Sequence, residues 1–408
     1  MRKEWKIVVA CFLVLALIAV LCLGCGKGKE RGVTITTGEL TDLTGPASTS
    51  TIYLHYALQD TIRYYNEEGL IPGVKLKLVS YNTQYDPARS VPGYDWLKER
   101  GADIVVAPIS NDAEVVKPFA ERDKIPVVSF SPTGPMLEPP GWIFCPSARY
   151  AEMQRFLLKW ISENHWDYSK GIPKVGFMAP SVASGVDQQK AFKEYAQAHP
   201  DKFDFVYCAL PPVGTQSFGA EVGALKDCDY ITVTTLTIGP FIRDYRARGY
   251  DRATFISDSS AASWLGLLRD MLGDWKGLDG FLSLYIALPW GEPNPTVELA
   301  EKILHDYHSA GEAEKIIHSG QNYVGVVPFF LAVLQAIEKA IGEVGAQHFD
   351  GQAFYDAALD FEVQFEGYPK YQFTETERWC VHEAAMYKWS AEAEGPVRLS
   401  DWLPLAVE

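Results

Sequence analysis

Hydroxyl side chains gather at six places in this sequence, each just after a short apolar run: residues 41–50, Ser110 with Asn111, 131–133, 181–185, 232–237 and 257–260. Serine and threonine at such places can cap the helices that follow. They can also present donors and acceptors to a small polar molecule, and capping explains part of the set more easily than all six. Nucleophilic catalysis lacks its usual pattern. Ser131 has Ser129 where the first glycine of a G-x-S-x-G elbow would stand. His382-Glu383 opens like a zinc motif, but Met386 occupies the second ligand position. Residues 24–29 (GCGKGK) copy a phosphate loop in composition only, with no strand before them and no Ser or Thr after Lys29. His305 and His308 share a helical face at i, i+3 without a third ligand, and read as solvated surface. The chemistry on offer is binding, with no metal, no cofactor and no enzyme activity expected.

The elements that must hold these hydroxyls alternate along the chain. Strands are expected at 33–38, 74–81, 104–108 and 126–130, with helices at 51–66, 92–100 and 112–122 between them. Pro132, Pro135, Pro139, Pro140 and Pro146 then break the rhythm. It restarts with helices at 150–164, 188–199, 218–225 and 240–248 and strands at 174–179, 203–209, 230–234 and 254–257. A second break covers 279–295, where the apolar run 281–288 ends in PWGEPNP. Two long helices, 296–310 and 323–344, precede a mixed tail. This order predicts an α/β protein with parallel sheets and right-handed crossovers. The unit is written twice, so two doubly wound parallel-sheet lobes around a hinged cleft are expected. Ligands of open parallel sheets bind beyond the carboxyl ends of the strands, where the six hydroxyl clusters fall.

Composition narrows the class further. With 408 residues, 47% hydrophobic and 22% charged, the chain is neither collagen-like nor disordered nor a small disulfide scaffold. A net charge of −15 without a basic block argues against a nucleic-acid partner. Residues 7–23 carry no charge and follow Arg2, Lys3 and Lys6, the pattern of a secretory signal, although the length is near the lower limit for a retained membrane helix. LCLGCG at 21–26 resembles a bacterial lipobox, with Cys25 as the lipidated residue and Gly24 before the cut. Removing residues 1–24 takes away Arg2, Lys3, Lys6 and Glu4, moving the net charge from −15 to −17 over the 384 residues left. Cys145, Cys208, Cys228 and Cys380 remain. Cys208 and Cys228 fall at opposite ends of neighbouring parallel strands, beyond the ~7 Å Cα limit of a disulfide, so burial as small hydrophobes is expected.

Several motifs in order carry a resemblance: GELTDLTGP at 38–46, YNEEGLIPG at 65–73, Asp86-Pro87, VVAPIS at 105–110, IPVVSFS at 125–131, and the helix at 323–340. Over residues 33–345 the chain resembles type I periplasmic solute-binding proteins of ABC transporters, nearest the branched-chain amino acid (leucine/isoleucine/valine) group. The resemblance implies a lobe order of 33–147 and 281–352 for the first lobe and 148–280 and 353–408 for the second, after a signal (1–24) and tether (25–32). It implies a carboxylate held by Ser110 and Thr133, with Asn111 and Ser131 beside them. Ser50 and Ser184 stand where the family has aromatic rings. Ser259 stands in the slot of the acidic residue that meets an ammonium, and Asp258 is one position away. Trp142, Trp264, Tyr285 and Trp290 could supply the lost rings, with Tyr285 taken as a contact. A simple aliphatic amino acid is therefore disfavoured as the solute. The reading is a monomeric, lipid-anchored, extracytoplasmic receptor that passes a small molecule to an ABC permease in the membrane. A sensor of the same fold and a secreted α/β enzyme are the alternatives.

Overall fold

The computed structural model describes residues 32–407. The expected signal, Cys25 and the tether through residue 31 lie outside the described residues. β1 (Val33–Thr41), β2 (Val74–Asn82), β3 (Ile104–Val106), β4 (Val127–Val128) and β5 (Ile143–Phe144) form a parallel sheet in the order β2-β1-β3-β4-β5. Helices α1 (Ser48–Glu68), α2 (Ser90–Lys98), α3 (Ser110–Asp123) and α4 (Gly134–Leu137) connect these strands. β3, β4 and β5 are built of Val, Ile and Phe and are buried, as parallel strands covered on both faces require, and β1 is buried from Ile35 onward, while β2 at the sheet edge buries only Leu76.

The second sheet repeats that order. After α5 (Tyr150–Trp160), the strands β6 (Lys174–Met178), β7 (Asp204–Ala209), β8 (Tyr230–Val233), β9 (Thr254–Ser257) and β10 (Leu282–Tyr285) lie as β7-β6-β8-β9-β10, all parallel. The helices α6 (Ala183–Ala198), α7 (Gly219–Leu225), α8 (Ile238–Ala247) and α9 (Leu265–Leu272) connect them. The run 281–288 thus holds the fifth strand of the second unit, and the chain leaves that sheet after Tyr285 rather than at residue 280. β5 is likewise the fifth strand of the first unit, inside the proline-rich stretch read as a break. Two or four residues are enough because the neighbouring strand supplies the ladder.

Four helices follow: α10 (Pro295–Tyr307), α11 (Ala310–Ser319), α12 (Asn322–Val344) and α13 (Gly351–Leu359). A two-stranded antiparallel sheet comes next, β11 (Glu362–Gln364) with β12 (Lys370–Gln372). β13 (Glu383–Ser390) and β14 (Gly395–Arg398) then extend the second sheet antiparallel beyond β10, and β15 (Leu403–Pro404) pairs with β13. α12 packs along α1 and α13, with most of its apolar residues buried.

Three passages join the two sheets. The first and third run side by side: the Cys145 N–H donates to the Arg378 carbonyl (2.6 Å), and the Cys380 N–H donates to the Cys145 carbonyl (3.2 Å). Arg378, only 2% exposed, donates to the Gly141 carbonyl (3.0 Å) and to the Tyr355 hydroxyl (2.8 Å). The guanidinium thus anchors the third passage to the first. The four cysteines among the described residues are free. Cys208 lies in β7 and Cys228 just before β8, and β6 separates those strands, so the two are not on neighbouring strands as expected. His308 is not solvated surface either: its Nε2 is 2.7 Å from the Asp60 carboxylate, which also accepts from the Tyr323 hydroxyl at 2.8 Å.

Candidate functional site

Between the sheets, at the strand exits, lies a cavity of about 180 Å³. The loop after β1 is organised by Asp42, which is fully buried. One carboxylate oxygen of Asp42 accepts the Thr44 and Gly45 N–H groups (3.1 and 2.5 Å), and the other accepts the Ala47 N–H (2.9 Å). This ties the loop into a tight turn and aims the first turn of α1, with Ser50, at the cavity. The Asn322 amide donates to the Ser50 hydroxyl and to its carbonyl, joining the starts of α1 and α12.

Four helices begin on the wall with no cap from the side chain of the residue before them: α1 after Ala47, α3 after Ile109, α6 after Val182 and α12 after Gln321. The first N–H groups of a helix have no partner within it and carry the positive end of its dipole. No Asp, Glu, Lys, Arg or His lines the cavity among the described residues; eight serines do. One flank is apolar, built from Phe130, Phe329, Val326, Ile286, Leu288 and Leu54. The rings of Phe130 and Phe329 stack at 5.9 Å between centroids. A neutral, hydroxyl-rich end beside an apolar end suits a small amphipathic solute, and the helix starts favour negative charge at the polar end.

The expected contact residues divide. Ser50, Ser110, Ser131, Ser184, Ser259 and Tyr285 line the cavity. Thr133 stands behind the wall, fully buried, its hydroxyl donating to the Glu114 carboxylate. Asn111 turns its side chain to the other sheet's helix, where Oδ1 accepts the Ala183 N–H at 3.0 Å. Asp258 is turned inward and fully buried, accepting from the Gln154 amide (3.1 Å) and the Ser260 N–H (2.9 Å). Burial pushes its carboxyl above the usual range, only partly opposed by those hydrogen bonds. Its carboxylate is not part of the cavity wall. Of the four rings considered, Trp264 and Tyr285 line the cavity, whereas Trp142 stacks on Tyr355 in the core and Trp290 on Tyr323.

Residues the sequence did not single out also line the wall: Tyr85, Phe130, Tyr150 and Phe329, with Thr235 from the 232–237 cluster. Tyr85 follows Gln84, and both hold a left-handed backbone (φ 60 and 56), which swings the ring inward; burial pushes its hydroxyl up to about 12. Thr235 also has a positive φ of 50. Its Oγ1 is buried and makes no hydrogen bond within the protein. Strained backbone of this kind is kept where the surrounding structure enforces it, often at functional sites. The threonine could have been found in the 232–237 cluster; the ring orientations had no local signal.

A sequence profile of the family described as periplasmic binding protein matches residues 34–395. A comparison with curated protein sequences finds no match. Among solved structures, the chain is similar to a branched-chain amino acid ABC transporter protein from Thermus thermophilus with bound valine, at 18% identity and a TM-score of 0.78, covering 91% of this chain and 96% of that one. It is also similar to a solute-binding protein of an ABC transporter from R. palustris in complex with 4-hydroxybenzoate (17%, TM-score 0.75, 91% and 97%). A third is a possible leucine/isoleucine/valine-binding protein from Rhodopirellula baltica SH 1 (16%, TM-score 0.76, 92% and 98%). At these identities the likeness establishes the type I periplasmic binding protein fold.

Proposed function

The chain belongs to the periplasmic binding protein family, a family of extracytoplasmic solute-binding proteins, and from that premise we propose that it captures a small carboxylate with an apolar or aromatic body and no ammonium group. The observation that carries this reading is the cavity wall: helix starts and hydroxyls together with stacked phenylalanines, and no acidic side chain to meet an amine. A volume of about 180 Å³ is close to the roughly 150 Å³ that accommodates benzene in an apolar cavity. Ser110 and Ser131 take the carboxylate, while Ser184, Ser259 and Thr235 face the solute from the second lobe and Ser50 and Tyr285 complete the wall. The 4-hydroxybenzoate-bound relative supports a ligand of this class. The lobes, 33–147 with part of the segment after residue 285 and the second sheet with its attached strands, close on the solute. The monomeric protein, anchored by lipid at Cys25, hands it to an ABC permease for import.

A thermal-shift series tests the solute class. Benzoate and 4-hydroxybenzoate at saturating concentration should raise the melting temperature by about 3 °C or more, and valine should not. Ser110→Ala should reduce the response, whereas Thr133→Ala, behind the wall, should keep most of it. A response to valine alone would discard the reading.

A further inference from the structure

We propose that Asn111 and Asp187 form a latch between the lobes that holds the cleft shut. Asn111 stands in the first turn of α3, on the exit of β3 in the first sheet. Its Oδ1 accepts the N–H of Ala183 (3.0 Å), the residue that opens α6 in the second lobe. Asp187, one turn further along α6, reaches the other way. Its Oδ1 accepts the Gly134 N–H of the first lobe at 3.2 Å. Each lobe thus satisfies a main-chain donor of the other.

The donors have no substitute partner. α6 has Val182 at its cap position, and a valine side chain accepts no hydrogen bond. Thr133 precedes Gly134, but its hydroxyl is committed to Glu114. Space around the contact is tight: a Cβ on Gly134 would come within 3.1 Å of the Asp187 carboxylate and 3.2 Å of the Arg149 guanidinium. The second Asp187 oxygen is buried without a partner. The adjacent Arg149–Glu138 pair (2.7 Å) closes the same edge. Opening the cleft separates both hydrogen bonds and leaves two amides and the side chains of Asn111 and Asp187 to water. The latch residues do not line the cavity; they are positioning residues that set how much of the binding free energy is spent on closure.

The test needs no ligand, so its result is independent of the solute class. Hydrogen exchange and small-angle scattering are measured on the unliganded wild type, on Asn111→Ala and Asp187→Ala, and on Asn111→Asp and Asp187→Asn, which keep an acceptor oxygen. In the alanine variants the amide across the cleft, Ala183 or Gly134 respectively, should exchange about tenfold faster, the equivalent of one neutral hydrogen bond. The radius of gyration should rise, with the far-ultraviolet circular dichroism unchanged. The acceptor-keeping variants should return both readouts toward wild type. Faster exchange with an unchanged radius of gyration would reduce the contact to a local cap and overturn the latch, as would wild-type exchange at both amides.

Discussion

Asp112 lies in the first turn of α3, two residues beyond Ser110, and is 1% exposed. The Ser90 hydroxyl donates to one of its oxygens (2.6 Å) and the Thr83 hydroxyl to the other (3.1 Å). Burial outweighs those bonds and pushes its carboxyl up to about 6. Between the ordinary value of 3.8 and that value the folded protein holds a proton that the unfolded chain has lost. Stability should therefore fall as the pH rises from about 4 to about 6, by about 3 kcal/mol for this group. Asp112→Asn should remove that component, so urea midpoints of variant and wild type should converge at pH 4 and diverge at pH 7; parallel curves would rule it out. The same buried network turns the Asp112 side chain away from the cavity that Ser110 lines. Asp258 is sequestered likewise, by Gln154 and Ser260, so the acidic residue nearest the ammonium slot in sequence is not available in space.

At the scale of elements, the strands and helices with strong periodicity were legible in the sequence, including both halves of the duplicated unit. The two fifth strands were not. β5 has two residues among prolines, and β10 sits in an apolar run with no alternation, so neither shows a period of its own. α12 is a different case: its hydropathy of 1.8 over 18 residues would suit a membrane span, yet 72% of that window is buried by the rest of the fold. Gly185, the residue after Ser184, has a steric role. A Cβ there would stand 2.1 Å from the Pro180 carbonyl, so glycine lets α6 start against the exit of β6 and places Ser184 on the cavity. Gly185→Ala should cost about 1–3 kcal/mol in urea unfolding. An unchanged midpoint would mean that the start of α6 can move aside.

Over the whole molecule, the four cysteines among the described residues are free, so the stability of this part of an extracytoplasmic-family protein rests on packing and not on cross-links. Three of them are buried and one is partly buried, and burial pushes the thiols of Cys208 and Cys228 up to about 12, which keeps them protonated and slow to oxidise. The melting temperature should be the same with and without dithiothreitol; a drop on reduction would reveal a disulfide. The sequence by itself determined the α/β class, the doubling of the unit, the strand exits at which a ligand could bind and the family, because hydrophobic period and local motifs are properties of neighbouring residues. Only the tertiary structure decided which hydroxyls face the cavity. Ser110 and Asn111 are adjacent in sequence, yet one lines the wall and the other crosses to α6, and Thr133 and Asp258 turn away to buried partners. Those choices depend on contacts between segments far apart in the chain, and a buried polar group goes to whichever distant partner satisfies it.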